Sequence, residues 1–98
     1  MTFTLIYHSQ VANQLNDIAF WYANEGEGLG DLFIAEFQQT IETIKRSPYA
    51  FAKKLNGSRQ VKMNRFPYFV IYYIDESKVE VFNVIHTSRH PIRRIMKK

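Results

Sequence analysis

Residues 65–86 read RFPYFVIYYIDESKVEVFNVIH, and their periodicity decides what kind of domain the chain forms. After the break at Pro67, Tyr68 to Ile74 is apolar on both parities, the pattern of a central strand covered on both sides. Asp75-Glu76-Ser77-Lys78 reads as a hairpin turn, and VEVFNVIH returns from Val79 as the next strand. Just upstream, RQVKM (59–63) alternates polar and apolar side chains as a half-exposed strand does, after the turn-forming Asn56-Gly57-Ser58. Together these strands make an antiparallel meander.

The first half of the chain has a different period. Phe3 to Tyr7 is a short β-branched and aromatic run, readable as a first strand. Ser9 is placed to cap a helix whose apolar positions Val11, Leu15, Ile18, Ala19 and Tyr22 form one stripe, ending near Asn24 before Gly26, Gly28 and Gly30. A second helix from Leu29 carries Phe33, Phe37, Ile41 and Ile44 on one face and stops before Pro48, which biases Ser47 out of the α region. The expected fold is α+β: an N-terminal strand, a two-helix antiparallel hairpin, then a three-stranded antiparallel meander forming a curved sheet covered on one face by the helices. The last stretch, PIRRIMKK (91–98), reads as a short basic helix.

A length of 98 residues predicts a single domain over 1–98 with no separate cofactor domain, and no cofactor is expected. Apolar residues at 46% and aromatics at 15% exclude a disordered composition. The absence of cysteine rules out disulfides, thiolate zinc sites and a cysteine nucleophile, and fits a reducing cytoplasm. MTFTLIYHSQ lacks a basic n-region, and no apolar run approaches the roughly 18 residues of a membrane span, so neither export nor membrane insertion is expected.

Charge is divided along the chain. All 13 Lys and Arg residues lie from Lys45 onward, whereas six of the nine acids precede it. Residues 1–44 therefore carry −6, and residues 45–98, with 13 cations against three acids, carry +10. Such a split predicts two faces of opposite sign and a polyanionic partner for the basic one: RNA, DNA or an acidic protein segment. The alternative is mutual neutralisation within one small domain.

With these elements in place, the chain resembles a known family. The strand and helical hairpin, the loop opened by Ser47-Pro48, the run R-x-x-x-x-x-R-F-P-Y-x-V-I-Y-Y from Arg59 to Tyr73 and the ending V-x-H-x-x-R-x-P from Val84 to Pro91 are similar to the RelE/ParE toxin superfamily of bacterial type II toxin–antitoxin systems. The F-P-Y strand and H-x-x-R ending match the ParE-like, plasmid-stabilisation branch more closely. The resemblance implies a cytoplasmic growth inhibitor held inactive by a cognate antitoxin, in a toxin–antitoxin hetero-oligomer. ParE-type members poison DNA gyrase, while RelE-type members cut messenger RNA on the ribosome.

The residues bear on that choice. RNA cleavage needs a base for the 2′-OH, an acid for the leaving oxygen and cations for the phosphorane. Lys53, Lys54, Arg59, Lys62, Arg65, Arg89, Arg93 and Arg94 form the candidate anion-binding or target-binding patch, and Arg59, Arg65, His86, Arg89 and His90 are the catalytic candidates if the chain is a nuclease. RelE-type enzymes add a catalytic tyrosine in the C-terminal tail; residues 90–98 here contain none, which favours gyrase as the target. His86 shares strand parity with Phe82 and Val84 and reads as a rim residue of an apolar face, and His90 reads as a solvated loop residue. Arg59, Arg65 and Arg89 either converge on one concave patch or brace the fold by pairing with Asp75, Glu76 or a helix end. His8, His86 and His90 lack a carboxylate at ligand spacing, so no metal is expected. The doubly apolar strand leaves a sheet face for an antitoxin segment to cover. An antitoxin-binding member that poisons nothing is the third reading.

Overall fold

The computed structural model describes residues 2–89. The chain runs β1 (Thr4–Tyr7), α1 (Ser9–Glu25), α2 (Leu29–Arg46), β2 (Arg59–Lys62), β3 (Tyr68–Asp75) and β4 (Lys78–His86), with 3-10 turns at Pro48–Ala50 and Thr87–Arg89. One sheet has the order β1-β4-β3-β2: β3 is antiparallel to both neighbours, and β1 lies parallel to β4. The expected α+β architecture is the one adopted. Parallel strands need a long crossover, and everything between the first and last strands serves as one. The helix expected over 91–98 lies outside the described residues.

Ser9 does not cap α1. His8 holds the cap position with extended φ −68° and ψ 151°, and no side chain caps the helix. The reason is that the His8 N–H still belongs to the sheet, donating to the Val81 carbonyl at 2.9 Å, so strand passes directly into helix. Between the helices, Gly28 adopts φ 80°, a conformation open to glycine at no steric cost. Gly30 is required for another reason: a Cβ there would stand 2.6 Å from the Ala19 carbonyl oxygen and 3.3 Å from the Ala23 Cβ, so the hairpin closes only around a bare backbone.

The expected helix faces are the ones buried. Val11 of α1 and Phe33, Phe37, Ile41 and Ile44 of α2 pack on Val70, Tyr72, Val79, Val81 and Val84 of the sheet. Each such side chain contributes about 1.5–3 kcal/mol by leaving water. One interruption governs β4: the pairing steps from Ile71–Asn83 to Tyr72–Val81, leaving Phe82 as an extra residue. The bulge reverses parity, so Val79 and Val81 are buried before it and Val84 after it. Strand parity alone therefore misplaces Phe82 relative to Val84 and His86.

β1 stops pairing at Val81, and α1 takes over along β4. Gln10 Nε2 donates to the Phe82 carbonyl at 2.7 Å, and Gln14 Oε1 accepts from the Val84 N–H at 2.9 Å. Gln14 Nε2 also donates to Asn83 Oδ1 at 2.6 Å. Two glutamines one helical turn apart thus satisfy edge groups that a longer β1 would have bonded.

Candidate functional site

The F-P-Y motif fixes the end of the sheet where much of the basic set lies. Phe66 and Tyr68 pack edge-on against Phe33 at centroid distances of 5.2 and 5.6 Å, and Tyr22 of α1 meets Phe66 at 4.8 Å. Pro67 between them offers its carbonyl to the Thr87 N–H at 2.9 Å. The β2–β3 loop and the turn after β4 are thereby tied together. Lys62 lies in register with Phe69 and Ile85, and Tyr68 with His86, so Lys62, Arg65, His86 and the backbone of Arg89 share this end.

The other cations are elsewhere. Lys53 bridges to Arg59 at the start of β2, with Lys54 beside it, about 10 Å along the strand from Lys62 at roughly 3.3 Å per residue. Arg59 is in register with the buried Tyr72 and so faces the helical side of the sheet. Its Nη1 donates to the Phe51 carbonyl at 2.6 Å, and its guanidinium lies 5.2 Å from the centre of the Tyr49 ring. Arg59 clamps the 48–53 loop. Lys62 has the opposite parity, is exposed, and donates from Nζ to the Met63 carbonyl at 3.1 Å. His90, Arg93 and Arg94 fall outside the described residues.

Arg65 is held from α2. Glu36, only 8% exposed, accepts the Arg65 backbone N–H on Oε1 at 3.0 Å, and its Oε2 lies 3.5 Å from Arg65 Nε. The bracing partner is therefore Glu36, not Asp75 or Glu76, and Arg59 and Arg65 do not converge. Two-thirds of the Arg65 side chain remains exposed, at 68%. Glu36 was legible as an anomaly: a carboxylate flanking Phe37 on the buried stripe needs a partner.

His86 is the last residue of β4, opposite Tyr68. Its ring stacks edge-on against Tyr68 at 5.1 Å, and its Nδ1 accepts the Ser88 N–H at 3.1 Å, with Ser88 Oγ at 2.8 Å. That nitrogen serves the turn that follows β4. A substrate proton transferred to Nδ1 would cost the Ser88 bond.

Alternation places Ile6, Ile71 and Tyr73 on the sheet face away from the helices. Phe82 joins them through the bulge, meeting Tyr73 at 5.5 Å and His8 at 4.5 Å between ring centres. His8 Nε2 lies 3.2 Å from Glu80 Oε1. The parallel β1–β4 register creates this His8–Glu80 pair, and no local pattern in the sequence announces it. Among the described residues no group of three or more His, Asp or Glu side chains is arranged to hold a metal ion.

Burial holds Tyr7, Tyr22 and Tyr72 in the neutral form. Burial raises the Tyr72 hydroxyl to about 12, partly opposed by the Arg59 charge, while the hydroxyl donates to the Pro48 carbonyl at 2.6 Å. Burial also raises Tyr22, with Tyr68 adding to the effect, and raises Tyr7, with Glu42 adding to it. All three keep their protons near neutral pH.

A helical hairpin behind an open four-stranded sheet is a fold shared with solved toxins. The chain is similar to a chromosomal ParDE toxin–antitoxin structure from P. aeruginosa, with a TM-score of 0.76 and 12% identity over 87% of this chain and 96% of the other. It is similar to a RelE toxin variant from E. coli in the free state, with a TM-score of 0.64 and 15% identity over 97% and 93% of the two chains. An archaeal RelE–RelB complex from Pyrococcus horikoshii OT3 follows at 0.56 and 14%, over 92% of this chain and 100% of the other. No curated protein matches. At these identities the likeness is one of fold, and it defines the class as the RelE/ParE fold. The family model for the ParE toxin of type II toxin–antitoxin systems, parDE, matches residues 5–91, and the chain belongs to that family.

Proposed function

We propose that the chain is a growth-inhibiting toxin that acts in the cytoplasm by binding DNA gyrase, and that a cognate antitoxin silences it within a toxin–antitoxin complex. The observation that carries this reading is the match of residues 5–91 to the ParE toxin family model, joined by the absence of a tyrosine from residues 90–98. Nuclease chemistry needs an acid and a base near the phosphate. A binding toxin needs only shape and charge, and Lys62 and Arg65 provide exposed cations at one end of the sheet. Ile6, Ile71, Tyr73 and Phe82 give the antitoxin an apolar face to cover, and the basic β2 edge suits its carboxylates. A gene pair of this kind stabilises the plasmid that carries it.

Induction of the chain without its antitoxin tests the proposal, with DNA and protein synthesis followed separately and purified gyrase assayed for supercoiling. Arrest of replication with a DNA-damage response and inhibited supercoiling is the expected result. Immediate translation arrest with ribosome-dependent cleavage of messenger RNA would establish the nuclease reading instead. Normal growth would leave an antitoxin-binding member without a target.

A further inference from the structure

β1 is an edge strand of four residues. Thr4 and His8 send their N–H groups to Ser77 and Val81 of the neighbouring hairpin, both at 2.9 Å. In a parallel ladder that phase turns Leu5 and Tyr7 the other way, with N–H and C=O groups directed outward. Among the described residues no strand pairs with that side. Beyond its shortness, Thr4-Leu5-Ile6-Tyr7 has no charge, no proline and no bulge, three other devices that keep sheet edges apart. Ile6 is 37% exposed and Tyr7 47%.

From this edge we infer that β1 is the interface to a second copy of the chain, paired antiparallel about a two-fold axis through Ile6. The charge pattern selects this occupant. An uncharged strand does not repel its own copy and adds no side-chain charge to attract an acidic segment, whereas the β2 edge carries Arg59 and Lys62, is partly closed by Lys53, and repels itself. The hydrogen-bond phase is also self-complementary. With Ile6 opposite Ile6, Leu5 of each copy lies opposite Tyr7 of the other, and each of these two pairs exchanges two backbone hydrogen bonds. Parity is preserved, so Ile6 meets its counterpart on the face away from the helices while Leu5 and Tyr7 meet on the helical side. The two sheets join into one of eight strands. So short a strand pair buries less than the roughly 1,200 Å² typical of stable complexes, so the dimer is weak and reversible. Pairing of β1 with the β2 edge of another copy would not close and would give polymers.

Sedimentation of the purified chain over a range of concentrations is expected to show a monomer–dimer equilibrium. Ile6→Lys brings two ammonium groups together on the axis and is expected to abolish the dimer, while the thermal midpoint of the monomer shows that folding is intact. A positive test uses the absence of native cysteine. Cα atoms of a non-hydrogen-bonded antiparallel pair lie about 4.5 Å apart, within the roughly 4.4–6.8 Å a disulfide spans, so Ile6→Cys is expected to cross-link under mild oxidation. Tyr7→Cys, opposite Leu5 of the second copy, is expected to remain largely uncross-linked. A wild-type chain that stays monomeric at every concentration, polymers in place of dimers, or equal cross-linking of both cysteine variants would each overturn the inference.

Discussion

The buried carboxylate of Glu36 on α2 receives the backbone N–H of Arg65 at 3.0 Å, and this bond ties the helical layer to the loop that presents a basic side chain. The bond is made by the Arg65 backbone, so the side chain is free to be replaced without cutting it.

Glu36→Ala should therefore cost stability where Arg65→Ala does not. The alanine leaves a loop N–H without its acceptor, a loss of about 1–3 kcal/mol. Arg65→Ala removes an ion pair whose arginine side is largely exposed, worth about 0–1 kcal/mol, and leaves Glu36 bonded to the backbone N–H. Urea denaturation of both variants checks the difference, and equal losses would mean that the ion pair dominates the backbone bond.

Gln14 makes a sharper local case. Gln14→Ala leaves the Val84 N–H, now bonded at 2.9 Å, facing an edge that β1 does not reach. The expected cost is about 1–3 kcal/mol, with loss of amide-exchange protection at Val84 ahead of the β3–β4 ladder. Unchanged protection at Val84 would show that another group takes the donor.

Gly30→Ala tests the hairpin contact. A methyl group placed 2.6 Å from the Ala19 carbonyl oxygen forces the helices apart, at about 1–3 kcal/mol for overpacking. Gly57, at φ 90° with no atom near its missing side chain, is the control that separates steric crowding from backbone conformation. Thermal unfolding of Gly30→Ala and Gly57→Ala measures both, and the crowded position is expected to lose more.

Tyr72 predicts a dependence on alkaline pH. Its hydroxyl titrates near 12 when folded against an ordinary 10.0, so between those values the folded chain binds more protons than the unfolded one. Stability is then full below about pH 10 and falls as pH rises toward 12. Lysines titrate in the same range, so the informative quantity is the difference from Tyr72→Phe. That variant should lose about 1 kcal/mol at neutral pH with its bond to the Pro48 carbonyl, and the gap to wild type should narrow as pH rises. A gap that stays constant from pH 8 to 11.5 would contradict the buried-hydroxyl account.

Periodicity made the layers legible: Phe33, Phe37, Ile41 and Ile44 mark a helix face, and the run from Tyr68 to Ile74 marks a central strand, because burial imposes a period on contiguous residues. What periodicity does not carry is contact across the chain. Glu36 meets Arg65, Gln14 meets Val84 and His8 meets Glu80 over separations of 29, 70 and 72 residues. The bulge at Phe82 was equally hidden, since an extra residue inside an apolar run changes parity without changing composition. Charge segregation, by contrast, largely passed into the structure: five of the acids from Asp17 to Glu42 lie exposed on the helical layer, Glu36 alone being buried, and apart from Lys45 and Arg46 at the end of α2 the described cations Lys53, Lys54, Arg59, Lys62, Arg65 and Lys78 lie on the sheet half. Only β1 crosses between the two, and it carries no charge.

That segregation gives the last prediction, which separates cations that hold the fold from cations that meet a target. Arg59 is occupied by the Phe51 carbonyl and the Tyr49 ring, so Arg59→Ala should lose about 1–3 kcal/mol of stability, as expected for a bond from a charged donor, and any loss of toxicity should follow from misfolding. Lys62 and Arg65 are exposed, and replacement by alanine should cost no more than about 0.5 kcal/mol of stability at Lys62 and about 0–1 kcal/mol at Arg65. If the basic end of the sheet is the surface that engages gyrase, the Lys62→Ala/Arg65→Ala double variant should bind its target at least tenfold more weakly, with the loss shrinking as salt screens the wild-type interaction. Supercoiling inhibition measured at two ionic strengths, beside a melting curve, decides the point. Full inhibition by the folded double variant would move the target surface away from this end of the sheet.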